Sequence, residues 1–307
     1  MIIVRLLGGL GNQMFQYAAG LALAEARRTV LKLDVSWFQE YPEHAAHNRY
    51  ALSCFNITEQ FATEEEIIRC RGVQLTRSER LAAALAKKLR LYQLAKLYPT
   101  NGHWYIETPH ITQDDFLNLP NNTYLDGMFQ SERFFLPSTN LLRKHFSLRY
   151  PPTFEVQAVA ARIVSAPSIA LHFRRGDYIS NPSFARELGS LNLAYYHQAL
   201  ARLSEKCPSA QVYIFSDCIE AVAGELKLEV PHEFVRCVEP WHPWDKIRLM
   251  SLCEHIAIAN STFSWWAAWL NPSAEKLVIA PEPWFAGSKQ NGADIVPTSW
   301  IRLPRAP

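Results

Sequence analysis

The sequence predicts an α/β fold made of two halves, each built around a doubly wound parallel sheet. Two patterns predict this class. The chain opens with a strand, a glycine turn, a helix and a second strand, and its second half alternates short apolar strands with helical stretches. A Tyr-Pro-Pro break at 150–152 separates the two patterns, so we expect an N-terminal domain over 1–150 and a C-terminal domain over 151–307. The last residues are free to pack back on the N-terminal domain.

The N-terminal half is regular only at its start. Residues 2–7 have the pattern of a buried strand, 12–28 that of a helix and 30–34 that of a second strand. Residues 78–98 form a helical run of Ala and Leu with many Lys and Arg side chains. Such a basic helix can make peripheral contact with an anionic membrane surface, whereas the same charges on a soluble protein form a solvated face, and both interpretations stay open.

The C-terminal half alternates strands and helices from residue 168 onward. The strands are predicted at 168–173, 211–215, 233–235, 256–259 and 277–280. The helices between them are predicted at 193–206, 219–226, 245–253 and 262–270. This alternation is typical of parallel βαβ units, in which ligands bind beyond the carboxyl ends of the strands. A crevice between two such halves is a natural ligand site.

Composition excludes several classes of protein. The 307 residues include 31 Lys and Arg against 29 Asp and Glu, so no overall basic field predicts a nucleic-acid partner. No apolar run reaches the roughly 18 residues of a membrane span, and the N-terminus lacks a basic lead-in to an apolar segment, which together predict a cytoplasmic protein. The six cysteines have no CxxC spacing, so we expect reduced thiols rather than zinc ligands or disulfides.

Polar clusters follow three strands of the C-terminal half, at the ends where ligands bind. The clusters are His172-Phe173-Arg174-Arg175-Gly176-Asp177, Ser216-Asp217 and Asn260-Ser261-Thr262. Adjacent arginines suit a phosphate or diphosphate, because a guanidinium donates bidentate, charge-assisted hydrogen bonds. The alternative is that one arginine pairs with Asp177 and the other is solvated. In the third cluster the Ser261 hydroxyl is expected to cap a helix whose free N–H groups receive an anion, although a simple cap explains the same residue.

The glycine turn near the N-terminus is only superficially a dinucleotide fingerprint. Gly9 and Gly11 follow a strand, but the third glycine of that fingerprint is replaced by Met14, which argues against NAD. Asn12 and Gln13 instead offer amide groups at the start of a helix. These groups suit a ligand rich in hydroxyls or bearing a phosphate.

Taken together, these motifs closely resemble those of the bacterial α-1,2-fucosyltransferases of glycosyltransferase family 11. The segments that support the resemblance are 8–16 (GGLGNQMFQ), 47–50, 55–57, 127–131, 172–177 (HFRRGD), 249–253 and 259–266 (ANSTFSWW). The resemblance implies a GT-B-like fold of two Rossmann-like domains facing a central cleft, with the acceptor on the N-terminal side and GDP-fucose on the C-terminal side. It also implies metal-independent transfer of L-fucose from GDP-β-L-fucose, with inversion, to the 2-hydroxyl of a terminal galactose in an acceptor glycan.

The resemblance also implies roles for individual residues. Arg174 contacts the donor diphosphate, His172 lies by the guanosine, Asn12 lies near the reacting centre and Asp245 binds guanine. The other residues assigned to the donor are Gly9, Gly11, Arg175, Asp177, Ser216, Asp217, Asn260, Ser261 and Thr262.

Departure of the nucleotide develops negative charge on its β-phosphate. The sequence has no Asp-x-Asp motif to hold a metal, so we expect Arg174, Arg175 and the helix start at Ser261 to neutralise that charge without a cofactor. The spacing of residues along the chain does not single out one residue of the N-terminal half as the general base. Asp126 is carried as the candidate, with Asp34, Glu132 and His44 as alternatives, and a dissociative route through Asn12 would need no strong base.

Two other functions fit the same residues. One is transfer by a different nucleotide-sugar enzyme, such as a peptide O-fucosyltransferase. The other is a non-catalytic sensor that binds a GDP-sugar.

Overall fold

A computed structural model describes residues 1–41, 49–71, 103–107, 112–236, 242–287 and 292–305. The chain divides into two compact units, Met1–Arg149 and Tyr150–Pro307. Each contains a parallel sheet with helices, which confirms the α/β class. The predicted helix at 78–98 and His44 lie outside the described residues. Within those residues, no helix combines the length and the apolar character needed to cross a membrane.

The first unit contains a four-stranded parallel sheet in the order β2-β1-β4-β3. Its strands are β1 (Ile2–Arg5), β2 (Leu31–Asp34), β3 (His103–Ile106) and β4 (Thr123–Asp126). Its described helices are α1 (Leu10–Ala26), α2 (Trp37–Glu40), α3 (Glu64–Arg71), α4 (Gln113–Leu117) and α5 (Thr139–His145). The strand predicted for 2–7 ends at Arg5. The backbone N–H of Leu7 donates instead to Oε1 of Gln16, 3.0 Å away on α1.

The second unit contains a six-stranded parallel sheet in the order β10-β9-β8-β5-β6-β7. Its strands are β5 (Ser168–Phe173), β6 (Gln211–Ser216), β7 (His232–Phe234), β8 (His255–Ala257), β9 (Val278–Glu282) and β10 (Ile301–Pro304). Its described helices are α6 (Phe154–Ser165), α7 (Gly176–Ser180), α8 (Pro182–Glu187), α9 (Leu193–Lys206), α10 (Ile219–Glu225), α11 (Pro243–Leu252) and α12 (Thr262–Leu270).

The main differences between this sheet and the sequence prediction are at β8 and at the edge strand β10. Strand β8 ends at Ala257, two residues before the predicted end, although Ile258 N–H still donates to the carbonyl of Ile279 at 2.9 Å. Residues 301–304, which we considered free to pack on the N-terminal half, form the edge strand β10 and pair with β9. Ile301 and Leu303 pack against the core of the second unit, which explains this pairing.

Apolar burial holds the site-bearing strand at the centre of the second sheet. All six residues of β5 are buried, and β5 lies between β8 and β6. Tyr195 and Tyr196 of α9 cover it, and each tyrosine hydroxyl donates to a backbone carbonyl near a strand end, Ile258 at 2.8 Å and His172 at 3.0 Å. The carboxyl ends of β5 and β8 are thereby fixed to one helix.

Candidate functional site

The three predicted polar clusters lie at one edge of the second sheet. They follow β5, β6 and β8, which are adjacent and parallel strands, so their carboxyl ends meet on the same side. The sequence pattern therefore located this edge. It did not determine which side chains face a ligand and which support the loops.

Asp217 is the organising residue of the edge. One of its carboxylate oxygens accepts the backbone N–H of Arg175 at 3.0 Å and the other accepts that of Gly176 at 3.1 Å. The second oxygen also pairs with the Arg174 guanidinium at 3.0 Å. Because these bonds use the carboxylate fully, Asp217 positions the loop after β5 rather than offering a free acceptor.

Gly176 permits this close approach. A Cβ atom at Gly176 would lie 2.9 Å from Oδ2 of Asp217, which is closer than real Cβ contacts allow. Any larger residue would push the loop away from Asp217. The glycine of the His-x-Arg-Arg-Gly-Asp segment is thus required by packing at the site.

Arg174 keeps part of its guanidinium accessible at the strand end. Its side chain is 32% exposed, and the guanidinium carbon lies 5.5 Å from the centre of the Tyr178 ring. The Tyr178 hydroxyl donates to the backbone carbonyl of Asn260 at 3.0 Å, which ties the loop after β5 to the loop after β8. Arg174 is therefore a positioned and partly exposed cation at the end of β5.

Arg175 has a different environment from Arg174. Its guanidinium pairs with Glu225 at the end of α10, 2.6 Å away, and its side chain is only 11% exposed. Among the described side chains, the carboxylate that pairs with Arg175 is thus Glu225. A contact between Arg175 and the donor diphosphate would require this pair to break. The side chain of Asp177 lies outside the described part of the chain.

His172 is a buried, neutral imidazole. Its pKa is lowered to about 3, mainly by burial; the opposite charge of Asp217 acts to raise the pKa, and the charges of Arg174 and Lys246 add to the lowering. Its Nδ1 atom is buried and makes no hydrogen bond. A buried nitrogen without a partner is costly, so it marks a place where a ligand atom can bond.

Asn260 has a similar unsatisfied atom at the end of β8. Its amide nitrogen donates to the carbonyls of Leu188 and Gly189 at 2.8 and 3.2 Å. Its Oδ1 atom is buried and has no hydrogen-bond partner. Arg305 donates to the same two carbonyls at 2.6 and 2.8 Å, so this loop is held from two sides.

Ser216 and Ser261, in the second and third clusters, take part in local structure. Ser216 Oγ accepts the backbone N–H of Cys218 at 3.0 Å and is buried. Ser261 occupies the N-cap position of α12, but its hydroxyl accepts no N–H of the first turn, so the predicted side-chain cap is wrong. Its extended backbone is sufficient to start the helix at Thr262.

Asp245 caps its own helix. It is 2% exposed, its Oδ2 accepts the backbone N–H of His242 at 3.0 Å, and its Oδ1 lies 3.4 Å from Nε of Arg248. The predicted contact with guanine would need this internal bonding to change. The next residue, Lys246, instead reaches the strand ends, where its ammonium donates to the carbonyl of Ser216 at 2.8 Å.

Lys246 and Tyr178 are site residues that sequence reasoning missed. Pro243 marks the first turn of α11, but no signal in the sequence directs the Lys246 side chain to the strand ends. For Tyr178 no sequence signal distinguishes it from an ordinary buried tyrosine.

In the first unit the predicted residues gather at the carboxyl ends of β1 and β4. Gly8 has a φ of +74°, and Gly9 is the N-cap of α1, which begins before Gly11. A Cβ at Gly8 would lie 2.7 Å from Nδ2 of Asn12. Oδ1 of Asn12 accepts Nε2 of Gln130 at 3.0 Å, so the turn and the loop after β4 hold this amide in place.

The acidic residues of the first unit differ in accessibility. Asp34 is 1% exposed and accepts the Tyr124 hydroxyl at 2.5 Å. Asp126 pairs with Arg5 at 3.6 Å and its side chain is 20% exposed. Of these two, only Asp126 has a carboxylate that an acceptor hydroxyl can reach.

A separate cluster of Cys207, Glu254 and His255 lies at the opposite, amino-terminal ends of the strands, with ligand atoms within 4.8 Å of one another. The Cys207 thiol donates to Glu254 at 3.8 Å, and burial together with Glu254 raises its pKa. Leu277 N–H donates to Nδ1 of His255 at 3.1 Å. Hydrogen bonds therefore account for this cluster, and it lies away from the edge described above.

Comparison with known proteins decides the family. The sequence pattern of glycosyl transferase family 11 matches residues 78–303. This chain belongs to glycosyl transferase family 11. The resemblance inferred from the motifs is confirmed, and the match includes all three clusters at the edge of the second sheet.

Two relatives of this family 11 chain come from Escherichia coli. An alpha-1,2-colitosyltransferase is 30% identical over 308 residues and covers 99% of each chain. The O-antigen biosynthesis glycosyltransferase WbnK is 29% identical over 312 residues, covering 96% of this chain and 98% of the relative. The chain is therefore a glycosyltransferase of the same length as these proteins.

Solved fucosyltransferase structures are more distant. NodZ from Bradyrhizobium is 14% identical with a TM-score of 0.46, covering 88% of this chain and 93% of that chain. POFUT1 in complex with GDP-fucose is 13% identical with a TM-score of 0.46, covering 98% and 97%.

Proposed function

We propose that this family 11 glycosyltransferase transfers L-fucose from GDP-β-L-fucose to the 2-hydroxyl of a terminal galactose, with inversion and without a divalent metal. The observation that supports the proposal best is the edge of the second sheet. At this edge the partly exposed side chain of Arg174 follows β5, and two buried polar atoms without a hydrogen-bond partner, Nδ1 of His172 and Oδ1 of Asn260, belong to the ends of β5 and β8. A cation with neighbouring unsatisfied polar atoms suits a nucleotide with phosphates.

The reaction forms one bond and breaks another at the anomeric carbon. The galactose 2-oxygen attacks C1 from the face opposite GDP, the C1–O bond to the β-phosphate breaks, and the electron pair leaves with GDP. Arg174, held by Asp217, stabilises the charge that develops on the leaving phosphate. Stabilisation by a fixed cation requires no metal, so we expect transfer to continue in EDTA.

The proton of the 2-hydroxyl needs an acceptor in a concerted route. In the first unit Asp126 is the proposed base, since its carboxylate is partly exposed while that of Asp34 is buried and bonded to Tyr124. Asn12 is proposed to position the reacting groups through its fixed amide. The variant Asp126→Asn distinguishes the concerted route, which needs a base, from the dissociative route, which does not. Loss of transfer with unchanged GDP-fucose binding supports a base, and normal transfer supports a dissociative route with late proton loss.

The decisive experiment is direct turnover. The protein is incubated with GDP-fucose and lactose, in buffer with EDTA and in buffer with Mg²⁺, and free GDP and the fucosylated trisaccharide are measured by mass spectrometry. A panel of type 1 to type 4 galactosyl glycans runs in parallel. We expect an α-1,2-linked product in both buffers. Binding of GDP without transfer to any acceptor would refute the enzyme and favour a sensor, and a strict need for Mg²⁺ would refute the metal-free route.

A second donor is favoured by one observation, the 30% identity to an alpha-1,2-colitosyltransferase. Colitose is L-fucose without the 3-hydroxyl, so both donors present the same nucleotide to the edge of the second sheet. A site that hydrogen-bonds the 3-hydroxyl rejects the sugar that lacks it, because its polar groups stay unpaired. The value of kcat/KM measured with each donor therefore decides between GDP-fucose and GDP-colitose. A higher value for GDP-fucose supports fucose as the transferred sugar.

A further inference from the structure

Among the described residues at the ends of β5 and β6, the cationic side chains of Arg174, Arg175 and Lys246 differ in what neutralises them. Arg175 is paired with Glu225, and Arg174 shares Asp217 with two backbone N–H groups. For Lys246, no carboxylate oxygen of the described residues lies within ion-pair distance of the ammonium. Its one described bond, 2.8 Å to the Ser216 carbonyl, is to a neutral group.

Lys246 and Arg174 are bonded to two neighbouring residues of the chain. Its ammonium binds the carbonyl of Ser216, and the guanidinium of Arg174 binds the side chain of the next residue, Asp217. The two cations are thus attached to the same two-residue turn after β6. Both charges also act on the buried imidazole of His172, whose Nδ1 has no partner.

An ammonium has three N–H donors, of which the Ser216 carbonyl takes one. The described residues provide no partner for the other two, so a ligand can accept them. A diphosphate bears more than one negative charge, and a single guanidinium that is already shared with Asp217 neutralises it incompletely. Arg175 is not placed to help, since its side chain is 11% exposed and held by Glu225.

We propose that Lys246 is the second phosphate-binding cation of this site, in the place that the sequence motif assigns to Arg175. The inference rests on the proposed function, because it takes the ligand to be a nucleoside diphosphate. In this arrangement Lys246 is bonded to Ser216, Arg174 is paired with Asp217, and both side chains bind the phosphates.

The test compares ligands that differ only in phosphate. Affinities for GDP, GMP and guanosine are measured by calorimetry for the wild type, Lys246→Met, Lys246→Arg and the control Lys206→Met. The control removes an exposed lysine at the end of α9, on the amino-terminal side of the sheet. Lys246→Met keeps the aliphatic length and removes the charge.

We expect Lys246→Met to weaken GDP binding by about tenfold or more, as for a lost hydrogen bond to a charged group, and to leave guanosine binding unchanged. Lys246→Arg should retain most of the affinity, the salt dependence of GDP binding should decrease in Lys246→Met, and Lys206→Met should behave as the wild type. Equal weakening of GDP and guanosine would show a merely structural role and overturn the inference. Unchanged GDP affinity would also overturn it while the proposed function stands, whereas a wild type that does not bind GDP refutes the proposed function itself.

Discussion

Replacement of Arg174 by alanine tests the site most directly. The guanidinium is expected to bond the leaving phosphate, and a hydrogen bond to a charged group contributes roughly 1.5–3 kcal/mol, so kcat/KM should fall by at least about 10- to 150-fold. Stability should change little. The pair with Asp217 is partly exposed, at 32% and 22% of the two side chains, and such pairs contribute about 0–1 kcal/mol. Asp217 keeps its bonds to the backbone N–H groups of Arg175 and Gly176.

The matched control is Arg162→Ala. Arg162 also pairs with a carboxylate in the second unit, Glu233 at 2.7 Å, but it lies on α6 and not at the carboxyl edge of the sheet. Initial rates with GDP-fucose and lactose, and melting temperatures, are measured for both variants. For a unit of this size each variant should lose at most about 2–4 °C, while only Arg174→Ala loses activity. Turnover of Arg174→Ala within twofold of the control would refute the assignment of Arg174 to the leaving group.

Three further predictions concern the residues around Arg174. Asp217→Asn leaves an amide that cannot serve both backbone N–H groups, so the melting temperature should fall by about 3–12 °C, and an unchanged value would contradict the organising role of Asp217. Gly176→Ala places a Cβ 2.9 Å from Asp217 and should weaken GDP binding, whereas Gly224→Ala, where a Cβ meets nothing within 4 Å, should bind GDP normally and gain up to about 1 kcal/mol of stability in calorimetric unfolding. His172 stays neutral when folded down to its pKa of about 3 but takes up a proton near pH 6.5 when unfolded, so its contribution to stability is complete above pH 6.5 and is lost as the pH falls toward 3. His172→Gln should therefore remove about 2 kcal/mol of the stability loss between pH 7 and pH 5, and parallel unfolding curves for the two proteins would count against a buried neutral imidazole.

Much of the second unit could be predicted from local patterns. Helices α9 and α12 and strand β5 begin and end where the sequence pattern predicts, because each contributes several buried apolar side chains. The edge strand β10 was missed, because only the pairing of residues 301–304 with β9 makes them a strand.

The position of the candidate site could also be predicted from the sequence, but the role of each residue in the site could not. Alternating strands and helices predict a parallel sheet, and a parallel sheet brings the residues after β5, β6 and β8 to one edge. The resemblance assigned the diphosphate contact to Arg174, but the sequence did not show which carboxylate holds either of the two adjacent arginines. The structure pairs Arg175 with Glu225, fifty residues further along the chain, and leaves Arg174 partly accessible.

The sequence by itself determined the α/β class, the family and the strand ends that bear polar residues, because these depend on the periodicity and motifs of short segments. Only the tertiary structure decided that Asp217 organises the loop after β5, that Asp245 turns back to cap its helix and that Lys246 reaches the strand ends. The physical reason is that a charge acts over a few ångströms of space. Which charges come that close depends on the direction of each side chain and on how distant elements pack, and neither is written in the spacing of residues along the chain.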